Sequence, residues 1–134
     1  MRVERHEQLP LRSQEDLVAA RQAVRALARD LGLSLVDQTK VITAASELGR
    51  NAVVHGGGGE LRLEHVVIEH RPALRATFCD TGPGIPDIEQ ALRDGYTSGS
   101  GLGLGLGGSR RLVDQFEISS EVGRGTCVTI VKWA

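Results

Sequence analysis

Apolar positions along this chain recur with two different periods. Leu17, Ala20, Val24, Leu27, Ala28 and Leu31 follow one another at helical spacing. Ser13 stands before them as an N-cap, with Glu15 and Asp16 in the first turn, and Gly32 supplies the stop. A second helix is predicted from a cap at Ser34 or Asp37 to about Val54. Its stripe is Val41, Ala45, Leu48 and Ala52, with Ile42 on one flank, and Gly56 to Gly59 end it. Elsewhere the pattern shortens toward period two. Residues 3–11 alternate loosely, and residues 60–69 (ELRLEHVVIE) alternate in part. Leu74 to Cys79 makes a further strand, with His70 to Ala73, including Pro72, as the hairpin connection. Phe116 to Val122 and Thr126 to Trp133 make the last two, around the turn Gly123-Arg124-Gly125. Short helices are expected at Asp87 to Arg93 and near Gly108 to Gln115, with residues 94–108 forming no element before that helix. The order β-α-α-β-β-(short α)-loop-α-β-β needs helices to cover one sheet face. It gives an α+β, two-layer sandwich in a single domain over residues 1–134.

Composition narrows the partners. The chain has 134 residues, 40% of them apolar, and a formal charge of −1. Neither a general nucleic-acid binder nor an acidic-membrane binder is expected from that balance. Aromatics at 3% argue against base stacking. No apolar run approaches the roughly 20 residues of a membrane span, and Met1 is followed by charged and polar residues. A cytoplasmic location is expected. Cys79 and Cys127 have no metal spacing and form no CxxC, so reduced, buried thiols are expected. Glycine is the excess: 17 residues, with four at 56–59 and seven within 95–108. Such clusters are either linker or backbone kept bare for close approach.

Four segments could carry chemistry. In SELGRNAVVH, Glu47 and Asn51 lie four apart, hence on one helix face at the border of the apolar stripe. A carboxylate there can polarise a hydroxyl, and an amide oxygen one turn on can ligate Mg²⁺; a solvated helix face would use the same residues. In DTGPGI, Asp80 ends a strand and can accept from an exocyclic amine, while Gly82 and Gly84 let backbone approach a planar ring; a plain turn is the alternative. In GLGLGLGG, leucines alternate with glycines up to a helix start, as in an anion site of bare amides, with Arg110 and Arg111 nearby. A surface loop is the alternative there. The spacing fits neither a dinucleotide-binding βαβ unit nor a GK[ST] phosphate loop. The fourth segment, Gly123-Arg-Gly-Thr126, could be a plain hairpin turn.

Taken together, in this order and spacing, the four segments resemble the boxes of the GHKL ATPase superfamily: SELGRNAVVH the N box, then DTGPGI, GLGLGL and GRGT as three glycine boxes. The resemblance implies a GHKL (Bergerat) α/β sandwich, with a mixed, mostly antiparallel sheet, helices on one face, and an ATP lid at about 94–106. It also implies roles. Glu47 is the base and Asn51 the Mg²⁺ ligand. Asp80 accepts the adenine amine, with Gly82, Gly84 and Ile85 at the purine pocket. Gly101, Leu102, Gly103, Leu104, Gly105 and Leu106 meet phosphate, and Thr126 reaches the adenine region. AARQAVRALARDLGLSLVDQTKVITAASELGRN, RRLVDQF and TIVKWA extend the likeness almost end to end to the stressosome switch serine/threonine kinases, the RsbT family. Such kinases use ATP to phosphorylate a STAS-domain antagonist and, once released, activate a PP2C-type phosphatase. The alternative is an anti-sigma factor of the same fold that sequesters a sigma factor. Neither nucleic acid nor membrane is an expected partner, and a monomer or weak homodimer is expected. Leu104 and Gly107 make the glycine–leucine repeat more regular than that family's pattern.

Overall fold

Serine caps and a glycine stop fix the helical layer. In the computed structural model, which describes residues 1–93 and 105–134, α1 spans Gln14–Asp30 and α2 spans Leu35–Val54. Ser13 Oγ accepts from the Asp16 amide at 3.2 Å, and Ser34 Oγ from the Asp37 amide at 3.1 Å. Each serine thereby satisfies one amide that a helix start leaves without an internal partner. The cap of α2 is thus Ser34, of the two candidates. Between the helices Gly32 sits at φ +78°, and the Leu33 amide returns to the Ala28 carbonyl, closing α1.

Five strands form one open sheet in the order β1-β2-β3-β5-β4: β1 Arg2–Leu11, β2 Gly59–Ile68, β3 Arg71–Asp80, β4 Gln115–Glu121 and β5 Gly125–Trp133. Every pairing among the described residues is antiparallel, so the expectation of a mixed sheet is corrected there. The β3–β5 crossover creates no parallel pair. Chain direction already reverses through β4, which hairpins onto the far side of β5.

Register builds the core. Leu9 pairs with Leu61, Leu61 with Phe78, Phe78 with Val128, and Val128 with Ile118. This row crosses all five strands on the face that α1 and α2 cover, and Val24, Val41 and Leu48 are among the helix residues of the same core. Burying one such large side chain contributes about 1.5–3 kcal/mol. The opposite face carries a small second cluster, Val66, Ala73 and Val131, flanked by Trp133 beneath the Arg71 guanidinium. Also there, Glu64 is almost fully buried between Arg75, at 2.8 Å, and Arg62, at 3.4 Å.

Three expectations shift. The β2–β3 connection is only Glu69-His70, both in the left-handed region (φ 51° and 67°), so β3 starts at Arg71 and Pro72 pairs with Val67. Such a two-residue turn matches the twist of the strands it joins. The helix expected near 108–115 is α4, Gly105–Arg111, because the chain must turn back at Gln115 to begin β4. Before it, α3 is the single turn Ile88–Ala91, capped by Asp87 accepting from the Gln90 amide. Finally, Cys79 and Cys127 are joined as a disulfide. The β3–β5 register sets them directly opposite each other across 48 residues of sequence, which sequence spacing could not reveal.

Candidate functional site

Strand alternation aims Asp80 and Thr126 at the helices. Even-numbered residues of β3 and β5, Phe78 and Val128 among them, face the core, and Asp80 and Thr126 continue those rows past the last apolar pair. The second helix approaches from above. Glu47 and Asn51 lie one turn apart on it and are half-buried, at the core border. Between them lies a cleft of about 430 Å³. Its walls, among the described residues, include Glu47 and Asn51 of α2, His55 at the C-cap of that helix, and Phe78 and Asp80 of β3. They continue through the loop Pro83-Gly84-Ile85-Pro86, Gln90 at α3, Gly105 and Leu106 of α4, and Thr126 of β5. That size suits a small-molecule ligand.

Asp80 is held from several sides. Its Oδ1 accepts from the Gly82 amide at 2.9 Å and from the Thr126 amide at 3.2 Å. An ionised carboxylate offers about four lone-pair sites, so acceptor capacity remains for an exocyclic amine. Behind the carboxylate stands Gly56, where a Cβ would lie 2.3 Å from Asp80 Cγ. A Cβ on Gly82 would fall 2.6 Å from Gly56 Cα. The glycine box therefore first uses its bareness on its own backbone. Gly82 is not part of the cleft wall; it closes the floor from behind. Gly84, at φ +79°, does line the cleft, and a Cβ there would meet the Glu121 carbonyl at 2.4 Å.

The last turn is bolted to that box. The Gly123 amide donates to the Pro83 carbonyl at 2.9 Å. Ser120 Oγ takes the Ile85 amide at 2.7 Å and shares a 2.8 Å hydrogen bond with Thr126 Oγ1. One hydroxyl thus ties the Ile85 loop to the strand carrying Thr126.

Of the residues singled out from the sequence, Glu47, Asn51, Asp80, Gly84, Ile85, Gly105, Leu106 and Thr126 come together around the cleft. Gly101, Leu102, Gly103 and Leu104 lie outside the described residues. The lid expected at about 94–106 overlaps α4 at its end, since Gly105 and Leu106 are already helical. Gly107, the departure noted in the repeat, packs α4 against α3: a Cβ there would meet the Leu92 carbonyl at 2.4 Å. Arg110 and Arg111 are exposed and off the cleft wall. Sequence reasoning missed His55, Gly56, Gln90 and Ser120. His55 had a signal, because it continues the spacing 47, 51, 55. Gly56 and Ser120 had none, since their partners are set by tertiary register.

The likeness to known proteins agrees with this geometry. Residues 11–132 match the family model of the histidine kinase-like ATPase domain. The chain is 43% identical over 118 residues to the serine/threonine-protein kinase RsbT of Bacillus subtilis, covering 88% of this chain and 89% of that one. It is 32% identical to the anti-sigma F factor of Geobacillus kaustophilus, over 98% of this chain and 93% of that one. A crystal structure of the RsbU and RsbW domains of a Mycobacterium tuberculosis protein superposes with a TM-score of 0.65 at 21% identity. It covers 96% of this chain but 31% of that longer one, and it speaks for the fold alone. With nearly the whole chain matched by the family model and by the kinase relative, the protein belongs to the histidine kinase-like ATPase domain family, on its RsbT-type serine/threonine kinase branch.

Proposed function

We propose that the cleft binds ATP with Mg²⁺ and that the protein transfers the γ-phosphate to a serine or threonine of a STAS-domain antagonist. Once released, it activates a PP2C-type phosphatase. The observation that carries this reading is the meeting of two walls in one cleft. Glu47 and Asn51 stand one turn apart on α2, and Asp80 with Thr126 stands across from them at the strand ends. Asp80 takes the adenine amine, while Gly84, Ile85 and Thr126 frame the ring. The glycine amides of residues 101–105 are assigned to the phosphates by resemblance.

The donor set fits a metal that arrives with the nucleotide. Among the described residues no group of three His, Cys, Asp or Glu could hold an ion by itself. Asn51 would hold Mg²⁺ through its one hard amide oxygen, which suits an ion that keeps phosphate and water oxygens as its other ligands. An ion held there would supply charge neutralisation to the transferring phosphoryl group. Glu47 orients the partner's hydroxyl and takes its proton as oxygen bonds to the γ-phosphorus. The bridge to the β-phosphate breaks, and ADP leaves. Positioning and charge neutralisation provide most of the rate.

Incubation with labelled ATP and a STAS-domain protein should give acid-stable phosphate on the STAS protein. Glu47→Ala should abolish transfer and leave ADP affinity within about twofold, since only a transition-state interaction is removed. Transfer at the full rate by Glu47→Ala would contradict the assignment. The second reading, an anti-sigma factor, rests on the relatives of that name, which span nearly the whole chain. Capture of a sigma factor without phosphate transfer would favour it. No helix among the described residues is long and apolar enough to cross a membrane. A cytoplasmic setting accompanies the proposed reaction.

A further inference from the structure

We propose that Cys79 and Cys127 form a reversible thiol–disulfide site, exchanging with low-molecular-weight thiols and disulfides, whose state is read at the nucleotide cleft. The coupling half of this proposal rests on the nucleotide reading given above; the exchange half does not.

Position carries the argument. Cys79↔Cys127 is the last pair of the β3–β5 ladder, with Cα atoms 4.1 Å apart. The next residues along each strand toward the cleft are Asp80 and Thr126. These two are joined by the 3.2 Å bond from the Thr126 amide to Asp80 Oδ1. Side chains alternate along a strand, so the cysteines point away from the cleft and Asp80 and Thr126 point into it. The sulfurs therefore lie on the sheet face opposite the helices, half-buried. A small thiol can approach them there without entering the cleft.

The backbone is tight at this point. A Cβ on Gly125 would fall 2.1 Å from the Asp80 carbonyl, and one on Gly59 would fall 1.9 Å from the Cys79 carbonyl. A covalent link across the ladder's final pair fixes the separation of β3 and β5 where the Asp80–Thr126 bond begins. Two thiols in its place leave that pair held by non-covalent contacts alone. Reducing compartments keep most cysteine pairs open unless they are transient, catalytic or redox-sensing, so the proposed cytoplasmic setting favours a switching role over a permanent brace.

The exchange balances. One cysteine thiolate attacks a small-molecule disulfide, forms a mixed disulfide and expels one small thiolate. The second cysteine thiolate attacks the protein sulfur of that intermediate, forms the Cys79–Cys127 bond and expels the other. Two protein thiols are oxidised, one small disulfide is reduced to two thiols, and the cysteine protons leave with them.

The test equilibrates the full chain across a series of reduced-to-oxidised glutathione ratios. Pairing is read by alkylation and mass spectrometry, and ADP affinity by calorimetry on the same samples. The expected result is a single two-electron transition, with ADP affinity falling about 3–10-fold on reduction as the preorganisation of Asp80 and Thr126 is lost. The double variant Cys79→Ser with Cys127→Ser should hold the reduced-state affinity at every ratio. Absence of the disulfide throughout the series, or a pair that never opens, would overturn the site. Equal affinity in both states, or a double variant that still follows the ratio, would overturn the coupling. ADP binding in neither state would overturn the nucleotide reading and the coupling with it, while mass spectrometry would still decide the exchange.

Discussion

Two glycine clusters meet at Asp80, and they differ in how much they announce themselves. Gly82 and Gly84 sit in a motif with an acid and a proline, so a ligand is an obvious reading. The run Gly56 to Gly59 reads as a helix end and a bridge to a strand. In the folded chain the two clusters face each other. Gly56 stands where any side chain would occupy the space of the Asp80 carboxylate, and Gly82 stands where any side chain would strike Gly56. A Cβ on Gly57, one residue away, would meet nothing within 4 Å, and this glycine serves a left-handed turn, φ +72°. A glycine can thus belong to a site by leaving room for another residue's functional group. Neighbouring glycines in one run can have unrelated jobs.

That contrast can be broken by substitution. The largest effect is expected at Gly56→Val: displacement of Asp80 and Gly82 should lower ADP affinity at least about 100-fold, near the loss of two charge-assisted hydrogen bonds. Calorimetry would measure it, with circular dichroism confirming that the fold persists. Ser120→Ala comes next. It removes the hydroxyl that joins the Ile85 amide to Thr126, and an affinity loss of about 5–10-fold is expected from one hydrogen bond of roughly 1 kcal/mol. Gly57→Ala should be the smallest. Its positive φ costs about 1 kcal/mol of stability in thermal or urea unfolding, and ADP affinity should stay put. If Gly57→Ala and Gly56→Val weakened ADP equally, the division between the two glycines would fail.

Much of the fold was legible because local signals and burial agreed. Ser13, Ser34 and Gly32 mark helix ends through chemistry that acts within four residues. The stripe of Val41, Ala45, Leu48 and Ala52 is buried as its spacing demands. The first two strands and the last two appear within a residue or two of their expected bounds. Position was lost where a tertiary constraint set the boundary. The Glu69-His70 turn uses non-glycine residues at positive φ, so no turn signal stands there, and Pro72 drew the hairpin too late. The start of α4 was hidden by its glycines, which look like loop, although Gly107 is needed for contact with Leu92.

In the site, residue types with distinctive chemistry were readable: Glu47, Asn51, Asp80 and Thr126 all reach the cleft. The supports were not. Gly56 and Ser120 act through partners 24 and 35 residues away or more, namely Asp80 in one case and Ile85 in the other. The disulfide overturned the expectation of free thiols for the same reason. Only the β3–β5 register brings Cys79 and Cys127 together.

Asp80 is the point on which these elements converge. β3 carries it, Gly56 leaves it room, and the Gly82 and Thr126 amides orient it. Calorimetric titration of ADP into the wild-type chain and into Asp80→Asn therefore probes this convergence at its centre. Micromolar-range binding is expected for the wild type and a loss of about tenfold or more for the variant, since an amide replaces a carboxylate acceptor held by two backbone amides. Equal ADP affinity in the two proteins would contradict the role given to Asp80.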